Sequence, residues 1–181
     1  MRAFTAIDIP KEIKARINDA SKQLRSIDGA RLVDEDSMHI TLHFLGEISD
    51  AQADHLKEAM ASIEFTQFEI SIRGIGFFEP RRPRVVFAEL EKGAEKVKRL
   101  YALLYDSIIK LGVRLEEREY IPHLTIARLK FAGTHSARLL ERFAEEHKEE
   151  FGSFECKSVA LKRSDFTSGG VKHTTLYEKR L

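Results

Sequence analysis

Residues Phe4 to Pro10 alternate apolar and polar with β-rich composition, a period of two that predicts a half-buried strand. From Lys11 to Leu24 the positions Ile13, Ile17, Ala20 and Leu24 form a helical stripe, with Pro10 suited to the first turn and Gly29 beyond the end. Alternation returns from Met38 to Leu45. After Gly46, Ser49 is a candidate N-cap for a helix from Asp50 to about Ile63, and strands follow at Phe65 to Ile75 and Val85 to Leu90. Glu91 to Leu111 is helical, carrying Val97, Leu100, Leu104 and Ile108 on one face. Ile121 to Leu129 alternates, Ser136 to Lys148 is helical, and Phe154 to Leu161 and Thr174 to Leu181 are strands.

The order of elements occurs twice. Phe4 and Phe87 stand 83 residues apart, His39-Ile40-Thr41 and His123-Leu124-Thr125 stand 84 apart, and two Glu-Phe-x-x-Phe-Glu segments starting at Glu64 and Glu150 stand 86 apart. Three landmarks in the same order predict one duplicated α+β unit, and no shorter repeat period of the solenoid kind is present. The expected architecture is one bilobal domain over 1–181 with repeats of roughly 1–83 and 84–181. Two antiparallel sheets line a central cleft, helices lie outside, and a pseudo-two-fold axis relates the halves. Exchange of strands between the lobes is left open.

The 181 residues suffice for one packed core. Thirty Lys and Arg against twenty-nine Asp and Glu leave a net charge of +1, so any nucleic-acid contact must come from a local patch. Cys156 is the single cysteine, which excludes a disulfide framework and a thiolate zinc cluster. Asp8 interrupts the opening residues before signal-peptide length, and no apolar run approaches a membrane span. A cytoplasmic protein without membrane contact is expected.

The chemistry lies in the repeated segments. In His39-Ile-Thr-Leu-His-Phe44, strand alternation puts His39, Thr41 and His43 on one face and Ile40, Leu42 and Phe44 on the other. In Pro122-His-Leu-Thr-Ile126 it pairs His123 with Thr125 above buried Leu124 and Ile126. A single His-x-Thr is ordinarily a solvated sheet face; two related by duplication can converge on one small group. Threonine hydroxyls donate to phosphate oxygens, and two imidazoles with an ordinary pKa near 6.5 can divide into one neutral and one protonated form. One residue type then supplies both a general base and a general acid.

Metal chemistry lacks a ligand pattern. His39 and His43 lie four apart on a strand, about 13 Å between Cα atoms, too far to share one ion. There is no His-Glu-x-x-His, no nucleophile elbow, no Gly-x-x-x-x-Gly-Lys loop and no Lys-x-Asp-Gly nucleotidyl-transfer motif. Neither metal nor cofactor is expected.

The pair His39-Ile-Thr-Leu-His-Phe-Leu-Gly46 and Tyr120-Ile-Pro-His-Leu-Thr-Ile-Ala-Arg128 resembles the two-histidine phosphoesterase superfamily, and within it the RNA 2′,3′-cyclic phosphodiesterases, also called 2′-5′ RNA ligases. Gly74-x-Gly-Phe-Phe78, Pro83-Arg-Val-Val-Phe87 and Leu161-x-x-Ser164 through Leu181 extend the likeness over essentially the whole chain. The resemblance implies that both His-x-Thr pairs handle a cyclic phosphate and that Arg128 contacts it. By simple alternation Arg128 falls on the apolar face, so this role requires a bulge or a side chain turning back. The family also implies His123 as base and His39 as acid, giving a 2′-phosphate; the duplication itself leaves the two roles nearly symmetric. Phe87 stands where the family frequently has tryptophan.

Other residues have weaker assignments. Arg81 and Arg82, with Arg73 and Arg84 around the Pro80/Pro83 turn, form either a solvated hairpin or a contact to RNA backbone. Phe77 and Phe78 point to opposite faces if extended, one to the core and one free to stack a base. His43 shares the polar face and is expected to line the cleft; His55, His135, His147 and His173 are expected at the surface. The expected function is metal-independent opening of RNA 2′,3′-cyclic phosphate ends, tRNA halves among the candidates, by a monomer. Reversal with a 5′-hydroxyl in place of water gives ATP-independent 2′-5′ joining. The alternative is a noncatalytic module that captures an RNA-end phosphate, distinguished by stoichiometric binding without turnover.

Overall fold

The computed structural model describes residues 1–115, 119–130, 133–168 and 170–181. Its strands are β1 (Arg2–Asp8), β2 (Ala30–Leu32), β3 (His39–Glu47), β4 (Phe68–Phe77), β5 (Val85–Lys92), β6 (His123–Leu129), β7 (Glu150–Cys156), β8 (Ser158–Thr167) and β9 (Gly170–Arg180). Its helices are α1 (Lys11–Ser21), α2 (Asp50–Ala61), α3 (Ala94–Lys110) and α4 (Thr134–Glu146).

Local chemistry sets most boundaries. Ser49 and Gln52 form a reciprocal capping box that starts α2, the Gln52 amide donating to Ser49 Oγ and the Ser49 amide to Gln52 Oε1. Gly93, at φ 84°, breaks β5 from α3, so Glu91 and Lys92 belong to the strand rather than to the helix expected from Glu91. The stripe from Lys11 to Leu24 is α-helical only to Ser21 and tightens into a 3-10 turn over Lys22–Ser26. The strand expected from Phe154 to Leu161 is two strands divided at Lys157, and β2 was not signalled by any alternation because it is only three residues long. The first strand of the Phe65 segment begins at Phe68.

The strand order is β7-β4-β5-β6-β3-β1-β8-β9, every pairing antiparallel, with β2 added beside β6. The two expected sheets are therefore hydrogen-bonded into one, but through a single residue pair, Ile40 with Leu124. On one side of that join lie β3, β1, β8 and β9; on the other lie β6, β5, β4 and β7. β4 precedes residue 84 in the chain yet pairs with β5, and β8 lies after it yet pairs with β1.

The expected apolar faces are buried. Val97, Leu100, Leu104 and Ile108 of α3 are fully covered, as are Ile40 and Leu124 at the join. Helix α3 packs on β3, α1 on β6 and β7, α4 on β4, and α2 on α3 and β9. One continuous apolar core results. No helix among the described residues is long and apolar enough to cross a membrane.

Candidate active site

The join between the two half-sheets is also where the repeated motifs meet. In the antiparallel register centred on Ile40 and Leu124, the residues on either side project to the opposite face from these buried two. His39 is thereby set across from Thr125, and His123 across from Thr41. A cavity of about 580 Å³ is lined by His39, Thr41, Thr125 and Arg128 together with Phe4, Ser164 and His173. His123 stands beside this group rather than among its lining residues.

Each histidine is held in the same way. His39 Nδ1 lies 2.7 Å from the Ser37 carbonyl oxygen and His123 Nδ1 lies 2.7 Å from the Ile121 carbonyl oxygen, two residues upstream in both cases. A carbonyl only accepts, so Nδ1 carries the hydrogen and Nε2 is the nitrogen that exchanges protons. Each ring is also braced by two others. Phe4 stacks on His39 with centroids 4.7 Å apart, and His173 meets its edge at 5.2 Å. Phe87 lies 5.3 Å from His123, and Phe78 meets it edge-on at 4.9 Å. A Cβ on Gly76 would fall 2.8 Å from the Phe87 ring, so the glycine makes room for this support.

Burial lowers both histidines. His39 is pushed down to about 4, chiefly by desolvation, with the neighbouring His173 also disfavouring its charge. His123 is lowered by desolvation, offset in part by its hydrogen bond to Ile121 and lowered further by the Arg128 guanidinium. Both are neutral in the free protein at pH 7, a state that a bound phosphate anion opposes.

Two bulges revise the alternation. In the β1–β3 ladder Thr5 pairs with His43 and Ala6 with Thr41, leaving Leu42 as an extra residue. His43 is turned into the core, only 2% exposed, and Phe44 is turned out at 58%. The expectation that His43 lines the cleft is therefore corrected: its Nδ1 lies 3.1 Å from Thr5 Oγ1 and its ring stacks at 4.1 Å on Tyr101 of α3. Tyr101 stacks in turn on Tyr120, whose hydroxyl donates to the Thr41 carbonyl, so this column braces β3 from behind. The matching bulge in β6 lies at Ile126, since Val86 pairs with Ala127 and Phe87 with Thr125. It is the bulge that Arg128 requires, and Arg128 reaches the cavity with its strand neighbours Val85 and Arg31 on either side.

The remaining expected residues are dispersed. Phe78 packs on His123 and Phe87 instead of offering a free face, and Phe77 packs against the core. Arg81 and Arg82 line a separate cavity with Asp28, Arg84 and Lys130. His147, expected at the surface, sits edge-on against Phe143 and faces Glu149. Sequence reasoning missed His173, which lines the cavity from β9, its Nδ1 3.1 Å from Ser164 Oγ. Its isolated position in the C-terminal strand gave no local pattern. Phe4 appeared only as a repeat landmark, and that repeat was the available signal. Among the described residues no three His, Cys, Asp or Glu side chains group as a metal site would require.

The family model for LigT-like phosphoesterases matches residues 7–87 and again 89–173. The chain belongs to the LigT-like phosphoesterase family. Two LigT-like relatives are each named RNA 2′,3′-cyclic phosphodiesterase. That of Archaeoglobus fulgidus is 32% identical over 171 residues, 94% of each chain, and that of Aeropyrum pernix is 38% identical over 149 residues, 82% of this chain and 84% of the relative. The crystal structure of TT0787 of Thermus thermophilus superposes with a TM-score of 0.79 at 28% identity, covering 100% of this chain and 98% of that one. The duplicated α+β architecture is common to this LigT-like fold.

Proposed function

We propose that this chain is a phosphodiesterase that opens RNA 2′,3′-cyclic phosphate ends to a 2′-phosphate, using His39 and His123 and no metal ion. The observation that carries the reading is the Ile40–Leu124 join, which sets two identically tethered imidazoles across from two threonines beside one arginine. The names of the family relatives support the same substrate class.

Thr41, Thr125 and Arg128 hold the phosphate oxygens, donors fixed in place before charge develops. His123 takes a proton from water as the water oxygen bonds to phosphorus. The bond from phosphorus to the ribose 3′ oxygen breaks, and His39 as imidazolium protonates that oxygen, leaving a 2′-phosphate and a 3′-hydroxyl. The Arg128 charge, which disfavours a proton on His123, suits His123 to the base role. The phosphate anion, once bound, restores the tendency of His39 to hold a proton. The strained cyclic diester asks only for positioning, proton transfer and charge stabilisation.

On the same reading residues 1–181 act as one bilobal unit, a view supported by the two consecutive family matches and by the exchange of β4 and β8 between half-sheets. Arg81 and Arg82 are proposed contacts for RNA backbone beyond the reacting end. The enzyme works as a monomer in the cytoplasm, with tRNA halves among its substrates, since every residue assigned above comes from one chain. Run in reverse, a 5′-hydroxyl replaces water. The test is a multiple-turnover assay on an oligonucleotide ending in a 2′,3′-cyclic phosphate, with the product read by phosphorus NMR. Catalytic release of the 2′-phosphate is expected; binding of one equivalent without product, or a 3′-phosphate product, overturns the reading.

A further inference from the structure

The histidine motifs are nearly symmetric, but the cavity beside them is not. Apart from Thr125 and Arg128, its lining comes from β1, β3, the segment after β2, and the β8–β9 hairpin. Six large hydrophobic side chains are exposed among the described residues, and three of them, Phe44, Phe166 and Val171, line this one cavity. Phe44 is there because the Leu42 bulge turns it out, and Phe166 is 70% exposed on β8. The guanidinium of Arg2 stands 5.4 Å over the Phe166 ring, placing a cation on the same wall. Residue 128 occupies in β6 the place that residue 44 occupies in β3, given the 84-residue spacing of the motifs. One side of the cleft thus offers an aromatic ring and the other a guanidinium.

Two exposed π-faces, cations at the rim and direct continuity with phosphate-holding donors match a nucleoside attached to a phosphate. A cavity of about 580 Å³ falls within the range of ordinary ligand pockets. We infer that this cavity seats the terminal nucleoside of the RNA end, its base against Phe44 and Phe166 and its ribose beside His39. The inference rests on the proposed hydrolysis of cyclic phosphate ends and fixes what the symmetry leaves open, namely which way the substrate lies. With the ribose on the His39 side, the departing 3′ oxygen faces His39. Water, entering opposite the departing bond, meets His123. Because stacking uses the π-face that every base presents, preference among the four bases should be small.

The inference is tested by comparing kcat/KM for adenosine 2′,3′-cyclic phosphate with that for methyl riboside 2′,3′-cyclic phosphate, which has no base. A stacked base corresponds to roughly 5- to 150-fold, and the parent enzyme should prefer the nucleoside by a factor in that range. Phe44→Ala and Phe166→Ala should each reduce the preference several-fold, and Phe44→Trp should preserve it. Both rings are exposed, so the substitutions leave the core intact. Equal rates on the two compounds, or a preference unchanged in both alanine variants, overturns the inference while leaving the proposed activity standing. Turnover of neither compound, nor of a cyclic-phosphate oligonucleotide, sinks the activity and the inference together. Orientation has its own readout: with sulfur replacing the 3′ oxygen, the leaving thiolate needs no proton, so His39→Ala should regain rate and His123→Ala should not. Rescue of His123→Ala instead reverses the orientation and overturns the inference.

Discussion

Replacing His43 by phenylalanine distinguishes a core ring from a cleft residue through stability against pH. His43 is 2% exposed, stacked on Tyr101 and paired with Thr5, and desolvation pushes it from 6.5 down to about 4. Between those two values the unfolded chain binds a proton that the folded chain refuses. Stability of the parent therefore falls as pH drops through 6.5, and the loss is complete below 4. At 1.36 kcal/mol per pH unit the full span amounts to roughly 3 kcal/mol, of which about 2.5 is lost by pH 4.5. A phenylalanine there keeps the stacked ring and does not titrate, but gives up the hydrogen bond to Thr5, a cost of about 1 kcal/mol at any pH. Urea unfolding at pH 7.5, 5.5 and 4.5 should show the variant slightly less stable at 7.5 and more stable at 4.5. His39 titrates in the same window in both proteins and cancels in the difference. Stability curves that run parallel from pH 7.5 to 4.5 would refute the reasoning, as would a loss of activity matching that of His39→Ala.

Three further outcomes are expected. His39→Ala and His123→Ala should each lower cyclic-phosphate hydrolysis by about 10²- to 10⁴-fold, with His147→Ala near the parent rate; a parent-like rate in either of the first two removes the two-histidine mechanism. Because both histidines are lowered in the free enzyme, and one must be charged while the other is neutral, kcat/KM should trace a bell peaking below pH 6.5 and survive exhaustive chelation. A peak above pH 7, or activity restored only by a divalent ion, contradicts it. Thr41→Val and Thr125→Val should each cost about 10²- to 10³-fold while keeping both limbs of the profile, and Arg128→Ala should in addition weaken the salt dependence of RNA binding; kinetics unchanged in both threonine variants would show that the phosphate sits elsewhere.

Much of the site is legible in sequence because strand alternation and an 84-residue repeat are both local patterns. They place His39 with Thr41 and His123 with Thr125 above a buried Ile40 and Leu124. The same alternation fails one residue later, at Leu42 and Ile126, where a bulge inserts a residue without any change in composition. Both are apolar residues in apolar strands, so nothing in the chain marks them as extra. From there onward His43, Phe44 and Arg128 all face the other way. His173 was invisible for a different reason: its partners Phe4 and His39 lie more than a hundred residues away, and only the pairing of β1 with β8, and β8 with β9, brings it to them. The short β2 and the break at Lys157 lie below the length at which periodicity carries information.

The place of β1 in the sheet has a consequence for how the molecule comes into being. This strand leaves the ribosome ahead of the other eight, yet one of its two neighbours, β8, follows all but β9. Until the β8–β9 hairpin emerges, β1 presents an open edge of unpaired amides and carbonyls in an apolar strand, the kind of edge that recruits foreign strands. The wall that carries His173 and Phe166 closes over Phe4 only at that late step. Synthesis that stalls short of β8 thus yields a chain with both histidine motifs present and no finished cleft between them, and long-range closure of this kind makes slow, nonlocal folding the expected cost of a shared sheet.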